Sequence, residues 1–116
     1  MANPPLLKFY LTSKEEIPAL QARIAEMREQ TLQELREVVA LTKQITEQGL
    51  ILPDTALSAS LIAQLGPRYF ESRLAWLVEV EKLLQALPAE AERDAWTMAN
   101  YQKAHKQLQK LLKKYQ

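Results

Sequence analysis

The first third of the chain carries a repeat of residues at alternating spacings of three and four. The repeat, which two threonines interrupt, runs through Leu20, Ile24, Met27, Thr31, Leu35, Val38, Thr42 and Ile45. This spacing puts its members on one face of an α-helix and is typical of the narrow seam of a coiled coil. A helix over residues 13–48 would be roughly 54 Å long at ~1.5 Å per residue. Because a small domain is narrower than that, we expect the helix to project and its seam to need a partner.

Short sequence signals predict where this first helix begins and ends. Ser13 and Glu16 have the spacing of a capping box, in which each side chain accepts a backbone N–H at the helix start. Pro18 cannot donate a hydrogen bond and crowds the preceding turn, which predicts a kink there or a helix that restarts at Ile17. Gly49 is expected to end the helix, because glycine readily adopts the left-handed conformation found after a helix C-terminus.

Residues 1–12 are interpreted as an N-terminal arm. Pro4 and Pro5 favour an extended backbone at the entry to the domain. The residues that follow them are too apolar for a free tail: Leu6, Leu7, Phe9 and Tyr10. We expect the arm to pack on the domain; the alternative is that it is the hinge to an upstream domain.

The stretch from Pro67 to Leu87 has a much wider apolar face than the first helix. One side of a helix would carry Phe70, Leu74, Leu77 and Leu84, and the arc is widened by Tyr69, Trp76, Val80, Leu83 and Leu87. Together they cover roughly half the circumference, against ~100° for a helix with one solvated face. Such a helix must be covered from two directions. A second copy of the chain is the simplest way to do so in a protein of this length.

Two further signals divide the rest of the chain. Asp54 is predicted to be the N-cap of a helix over residues 54–87, and Gly66-Pro67 would kink it or split it in two; we favour one kinked element. Pro88 ends it, and a last helix is expected over residues 89–115. Acidic residues gather at its start and lysines at its end, which complements the helix dipole. The residues concerned are Glu90, Glu92 and Asp94, then Lys103, Lys106, Lys110, Lys113 and Lys114.

Composition agrees with an all-α fold. The 116 residues include 2 glycines and no cysteine, with 47% hydrophobic and 25% charged residues, which is ordinary for a single globular domain. The absence of cysteine excludes disulfides and zinc–cysteine sites and is compatible with a cytoplasmic location. The net charge of +1 gives no global field that would recruit nucleic acid or an acidic membrane. We also see neither a signal peptide nor a membrane span.

Few residues of the sequence are candidates for catalysis or for binding a metal ion. His105, the only histidine, has no local nucleophile, orienting acid or metal-ligand motif near it, so we expect a packed or half-exposed side chain. The sequence therefore predicts no catalytic, metal or cofactor site, and an enzyme is disfavoured. Arg73 and Glu81 lie within the wide apolar arc but are eight residues apart, too far for a pair along one helix. A salt bridge to a second copy is one hypothesis, and an arginine stem that merely reaches solvent is the other.

The pattern predicts an intertwined dimeric bundle of long antiparallel helices, with residues 13–116 as the dimerisation domain. The interface is expected to combine the first seam and the aromatic helix. Its predicted residues are Leu20, Ile24, Met27, Leu35, Val38, Phe70, Arg73, Trp76, Leu77, Val80 and Leu84.

Two stretches also resemble a known family. The segment Arg73–Val80, preceded by Tyr69-Phe70, resembles the closing helix of PadR-type transcription regulators, and Pro4–Tyr10 with Ser13–Ile17 is similar to the start of the same C-terminal domain. The resemblance, which covers about residues 4–87, implies a homodimerisation and effector domain. In that family a winged helix precedes this segment, and aromatic residues of the dimer core can line a small-molecule pocket. The chain is then either a piece of a longer regulator or a free-standing relative.

A helical adaptor is the alternative to a regulator domain. It would bind another protein through the long seam and would have no regulatory ancestry. In neither case do we expect specific DNA binding by this chain alone, because no residue is placed to read base edges. The lysines near the C-terminus would support at most a salt-sensitive contact with phosphates.

Overall fold

The computed structural model describes residues 9, 17–49 and 54–116, and no strand occurs in that part of the chain. The all-α prediction is confirmed. The helices are α1 (Ile17–Gln48), α2 (Ala56–Ala63), α3 (Leu65–Gln85), a 3₁₀ turn (Glu90–Glu92) and α4 (Arg93–Tyr115). The predicted capping box of Ser13 and Glu16 and the remainder of the N-terminal arm, apart from Phe9, lie outside the described residues.

Helix α1 ends as the sequence predicts. Gly49 has a φ of 65°, in the left-handed region that glycine enters without a steric penalty. Its N–H donates to the carbonyl of Ile45 at 3.0 Å, which satisfies one of the acceptors left open at the helix end. The described helix begins at Ile17, which puts Pro18 in its first turn; the residues on the other side of the predicted kink lie outside the described part.

Helix α2 begins one residue later than expected. The prediction that Asp54 caps it is wrong, because Thr55 occupies the N-cap position and makes no side-chain cap hydrogen bond. The carbonyl of Thr55 accepts the N–H of Ala59 at 2.9 Å, which is the first helical bond. Asp54 therefore lies in the turn before the helix.

The break between the second and third helices falls at Gln64, two residues before the predicted site. Gln64 has helical dihedral angles, φ −68° and ψ −19°, and its N–H donates to Leu61 at 3.2 Å. A single turn residue thus separates α2 from α3. Pro67 lies in the first turn of α3, where its missing N–H breaks no bond inside that helix. The proline therefore marks the start of a helix rather than a kink within one.

Pro88 ends the aromatic helix, as predicted, but earlier than expected. Helix α3 stops at Gln85 and Ala86 is a turn residue. Leu87, the residue that Pro88 disfavours in helical geometry, lies outside the helix. The next segment opens with the 3₁₀ turn, and the Arg93 Nε donates to the carbonyl of Pro88 at 3.2 Å. That hydrogen bond joins the first residue of α4 to the segment between α3 and the 3₁₀ turn.

The chain divides into a first unit, Met1–Leu84, and a second unit, Gln85–Gln116. The core of the first unit is formed by Ile24 and Met27 of α1 and Leu77 of α3, which are 3%, 0% and 1% exposed. Around them pack half-buried side chains of α3 and one from the arm: Phe9, Leu74, Trp76, Val80 and Leu84. The packing of Phe9 agrees with the predicted arm, because its ring meets the Trp76 ring edge-on with centroids 6.1 Å apart.

The second unit is a helix with little cover. Within it Trp96 and Asn100 are half-buried, but every residue from Tyr101 to Gln116 is exposed. The exposed residues include large apolar and aromatic side chains: Tyr101, Leu108, Leu111, Leu112 and Tyr115.

Candidate functional site

The first unit leaves an unusual amount of apolar side chain in solvent. We call this set the distal surface. It consists of Val38, Val39 and Leu41 on α1, Leu57, Leu61 and Ile62 on α2, and Leu65 at the start of α3. Leu57 is 76% and Ile62 70% exposed, so each of the three helices of the first unit carries large apolar side chains in solvent.

The polar positions near the distal surface are satisfied locally. The hydroxyl of Thr42, a seam position of α1, donates to the carbonyls of Val38 at 2.9 Å and Val39 at 3.1 Å. On α2, the hydroxyl of Ser60 donates to the carbonyl of Leu57 at 2.7 Å. These hydroxyls therefore bring no unpaired donor to a partner, and what the surface offers is mainly apolar area.

A polar cluster lies where α1 crosses α3. Thr31 is fully buried, and its hydroxyl donates to the carbonyl of Met27 at 2.7 Å. The same oxygen accepts a hydrogen bond from the Nε of Arg73 at 3.0 Å. The Nη1 of Arg73 donates in turn to the hydroxyl oxygen of Tyr69 at 3.3 Å. One arginine on α3 is thus held by a buried hydroxyl of α1 and a half-exposed phenol of its own helix.

Sequence reasoning missed this cluster. The spacing singles out Arg73 and Glu81 as charges within an apolar arc and suggests a salt bridge to a second copy, which nothing in the single chain tests; Glu81 itself is exposed. The pattern gives Thr31 only as an interruption of the seam. A signal was available: a threonine inside an apolar seam and an arginine inside an apolar arc are each costly to bury alone, and so favour pairing with each other.

The predicted interface residues fall into three groups. Ile24, Met27, Phe70 and Leu77 are buried within the single chain, so a second copy could contact them only after rearrangement. Val38 is exposed at 39%. The others are half-buried at the rim of the core: Leu20, Leu35, Arg73, Trp76, Val80 and Leu84. That these half-buried and exposed residues contact a second copy stays a prediction.

Helix α4 carries two opposite faces. Its five lysines are exposed, as are His105 and the apolar residues between them. The expectation of a packed or half-exposed His105 is therefore wrong, because its side chain is exposed. Trp96 is half-buried.

No group of three or more His, Cys, Asp or Glu residues in the described ranges is placed to hold a metal ion. None of the helices there is both long and apolar enough to cross a membrane.

The fold places the chain among small all-α domains built on long paired helices. A sequence model of the family described as Virulence activator alpha C-term matches residues 3–85, well over half of the chain. The chain therefore belongs to this family, which is a C-terminal helical domain of regulators. The match ends where α3 ends, so it takes in both helices of the core and the distal surface and leaves α4 outside. No curated protein and no solved structure matches the chain significantly.

Proposed function

We propose that this chain is the homodimerisation and effector domain of a transcription regulator, of the type that PadR-like regulators carry at the C-terminus. The family match supports the regulatory role at its coarser level. The resemblance of Arg73–Val80 to the closing helix of PadR-type proteins supports the finer one. In this proposal the chain supplies assembly and has no DNA reader of its own.

The observation that carries the dimer is the distal surface. Its seven apolar residues are 39–76% exposed, and burying apolar area contributes ~25 cal/mol per Å² before the costs of association are subtracted. A second copy is the partner we propose, because a twofold interface brings the same patch of each protomer together and needs no other protein. The long helix α1 would then find along its distal half the cover that α3 provides along the proximal half.

Sedimentation equilibrium at micromolar concentration tests the proposal. We expect the unmodified chain to be a dimer. Leu61→Glu puts a charge into the distal surface and should dissociate the dimer, because an unpaired charge is costly to bury. Ser60→Glu is the matched control, since it adds the same charge at the preceding residue, an exposed polar position of the same helix. Both variants should keep the far-ultraviolet circular dichroism of the unmodified chain.

A monomeric unmodified chain would contradict the proposal. It would leave the distal surface open to another protein and favour the adaptor. Equal dissociation by Ser60→Glu and Leu61→Glu would also count against it, because the effect would then come from added charge on α2 rather than from lost apolar contact.

A further inference from the structure

The side chain of Arg73 is fixed on one edge only. Its Nε donates to the Thr31 hydroxyl oxygen at 3.0 Å, and that hydroxyl donates its own hydrogen to the Met27 carbonyl at 2.7 Å. Thr31 is fully buried, so the bond anchors the Nε side of the guanidinium against α1. The Nη atoms extend beyond that anchor and keep N–H donors that neither contact uses.

Tyr69 adds a second unused donor on the same helix face. Its hydroxyl oxygen accepts from the Nη1 of Arg73 at 3.3 Å, so the phenolic proton is left for another acceptor. Tyr69 and Arg73 are four residues apart, which puts them on one face of α3. The Tyr69 side chain is 44% exposed and can be reached from outside the chain.

The charge of the guanidinium is not balanced by these contacts. Both hydrogen-bond partners of Arg73, Thr31 and Tyr69, are neutral hydroxyls. Glu81, the acidic residue in the same apolar arc of α3, is exposed and too far along the helix to pair with Arg73. A half-buried cation with neutral partners and outward N–H donors is well suited to an anion, and the planar fork of arginine matches a carboxylate in particular.

We propose that Arg73 and Tyr69 form a binding site for a carboxylate, preorganised by Thr31. The site lies one turn along α3 from Leu65, a member of the distal surface. A carboxylate can therefore reach it in two ways, as an acidic side chain of a second copy or as the acid group of a free ligand. The first source rests on the proposed homodimer, and the second does not.

Nuclear magnetic resonance of the Arg73 side-chain N–H groups in the full chain distinguishes the sources. Sodium acetate is titrated against sodium chloride at equal ionic strength. A free-ligand site gives an acetate-specific, saturable shift that Tyr69→Phe weakens at least threefold. Because Arg73→Lys removes the observed N–H groups, that variant is followed through the Tyr69 ring protons, whose acetate-specific shift should be lost. Tyr69→Phe removes a single exposed oxygen, so the fold is expected to persist. Ser72→Ala is the control, because its exposed hydroxyl bonds only the Tyr69 carbonyl, at 3.1 Å.

Sedimentation of the same variants tests the other source. If a second copy supplies the carboxylate, Tyr69→Phe and Arg73→Lys should each raise the dimer dissociation constant at least tenfold, while Ser72→Ala leaves it unchanged. The absence of both an acetate-specific shift and a change in dimerisation would overturn the carboxylate site. That outcome is separate from failure of the homodimer, which the unmodified chain and Leu61→Glu report on their own.

Discussion

The two halves of α1 share one repeat of apolar residues but differ in how far other helices cover it. In the proximal half the seam residues Ile24 and Met27 are 3% and 0% exposed, whereas in the distal half Val38 is 39% and Leu41, beside the seam, 55% exposed. The spacing of apolar residues is equally helical on both sides of Thr31. What differs is the cover, because α3 packs its own large side chains on the proximal half. A seam therefore specifies which face of a helix is apolar, but it does not specify what covers that face.

The covering helices explain the difference. Helix α3 brings Leu77 into the core and Leu74, Trp76, Val80 and Leu84 around it. Helix α2 is 8 residues long, and none of its residues is buried. A short helix whose leucines point to solvent cannot close the distal seam, and this contrast sets the scale of the expected mutational effects.

The largest effect is expected in the covered region. Leu77→Ala should lower the free energy of unfolding by about 2–5 kcal/mol, because it removes a fully buried side chain and leaves a cavity. Val78→Ala, at the next residue but 46% exposed, should cost less than about 1 kcal/mol. Urea unfolding followed by circular dichroism at one fixed protein concentration compares the two. Similar losses for both variants would mean that the α1–α3 core is not where stability resides.

The polar cluster should give an intermediate effect. Thr31→Val keeps the shape of the side chain but leaves the Arg73 Nε without its acceptor, which should cost about 1–3 kcal/mol of unfolding free energy. Thr31→Ser retains the hydroxyl and should lose less. A double-mutant cycle with Arg73→Met isolates the contact, and a coupling energy near zero would show that the 3.0 Å bond contributes nothing.

In the uncovered region the expected effect is on assembly rather than on folding. Leu41→Glu should raise the dimer dissociation constant about tenfold or more, equivalent to about 1.4 kcal/mol, with helicity retained. Gln44→Glu, an exposed polar position one turn later, is the control. Analytical ultracentrifugation over a dilution series measures both. Loss of helicity in Leu41→Glu would place that side chain in the core of one chain and erase the contrast between the halves of α1.

The smallest effect concerns α4, whose residues from Tyr101 to Gln116 are all exposed. Its lysines should give the chain no sequence-specific DNA binding and at most a weak association that is lost near physiological salt, because contacts to phosphate are sequence-blind and screened. A mobility-shift titration across salt concentrations measures this. Nanomolar binding to one DNA sequence over a scrambled competitor would show that the chain has base-reading residues that neither the sequence pattern nor the fold indicates.

Much of the backbone followed from local signals. Gly49 ends α1 because it can take the φ of 65° that a helix C-terminus favours, and Pro88 cannot continue α3 because it has no N–H to donate and disfavours helical geometry at Leu87. The exact residues at which one helix ends and the next begins were harder to predict. The sequence marked Gly66-Pro67 as the break, yet the turn falls at Gln64, because a proline in the first turn of a helix breaks no bond within it.

The amino-acid sequence by itself determined the helices, their apolar faces and the scarcity of chemical groups, since each of these depends on spacing along one chain. Only the tertiary structure decided which part of each face is covered. It buried Ile24, Met27 and Leu77 together, left the distal surface in solvent, and joined Thr31 to Arg73, 42 residues apart. The physical reason is that burial and hydrogen bonding between helices depend on how two faces meet, and a periodic pattern describes only one face at a time.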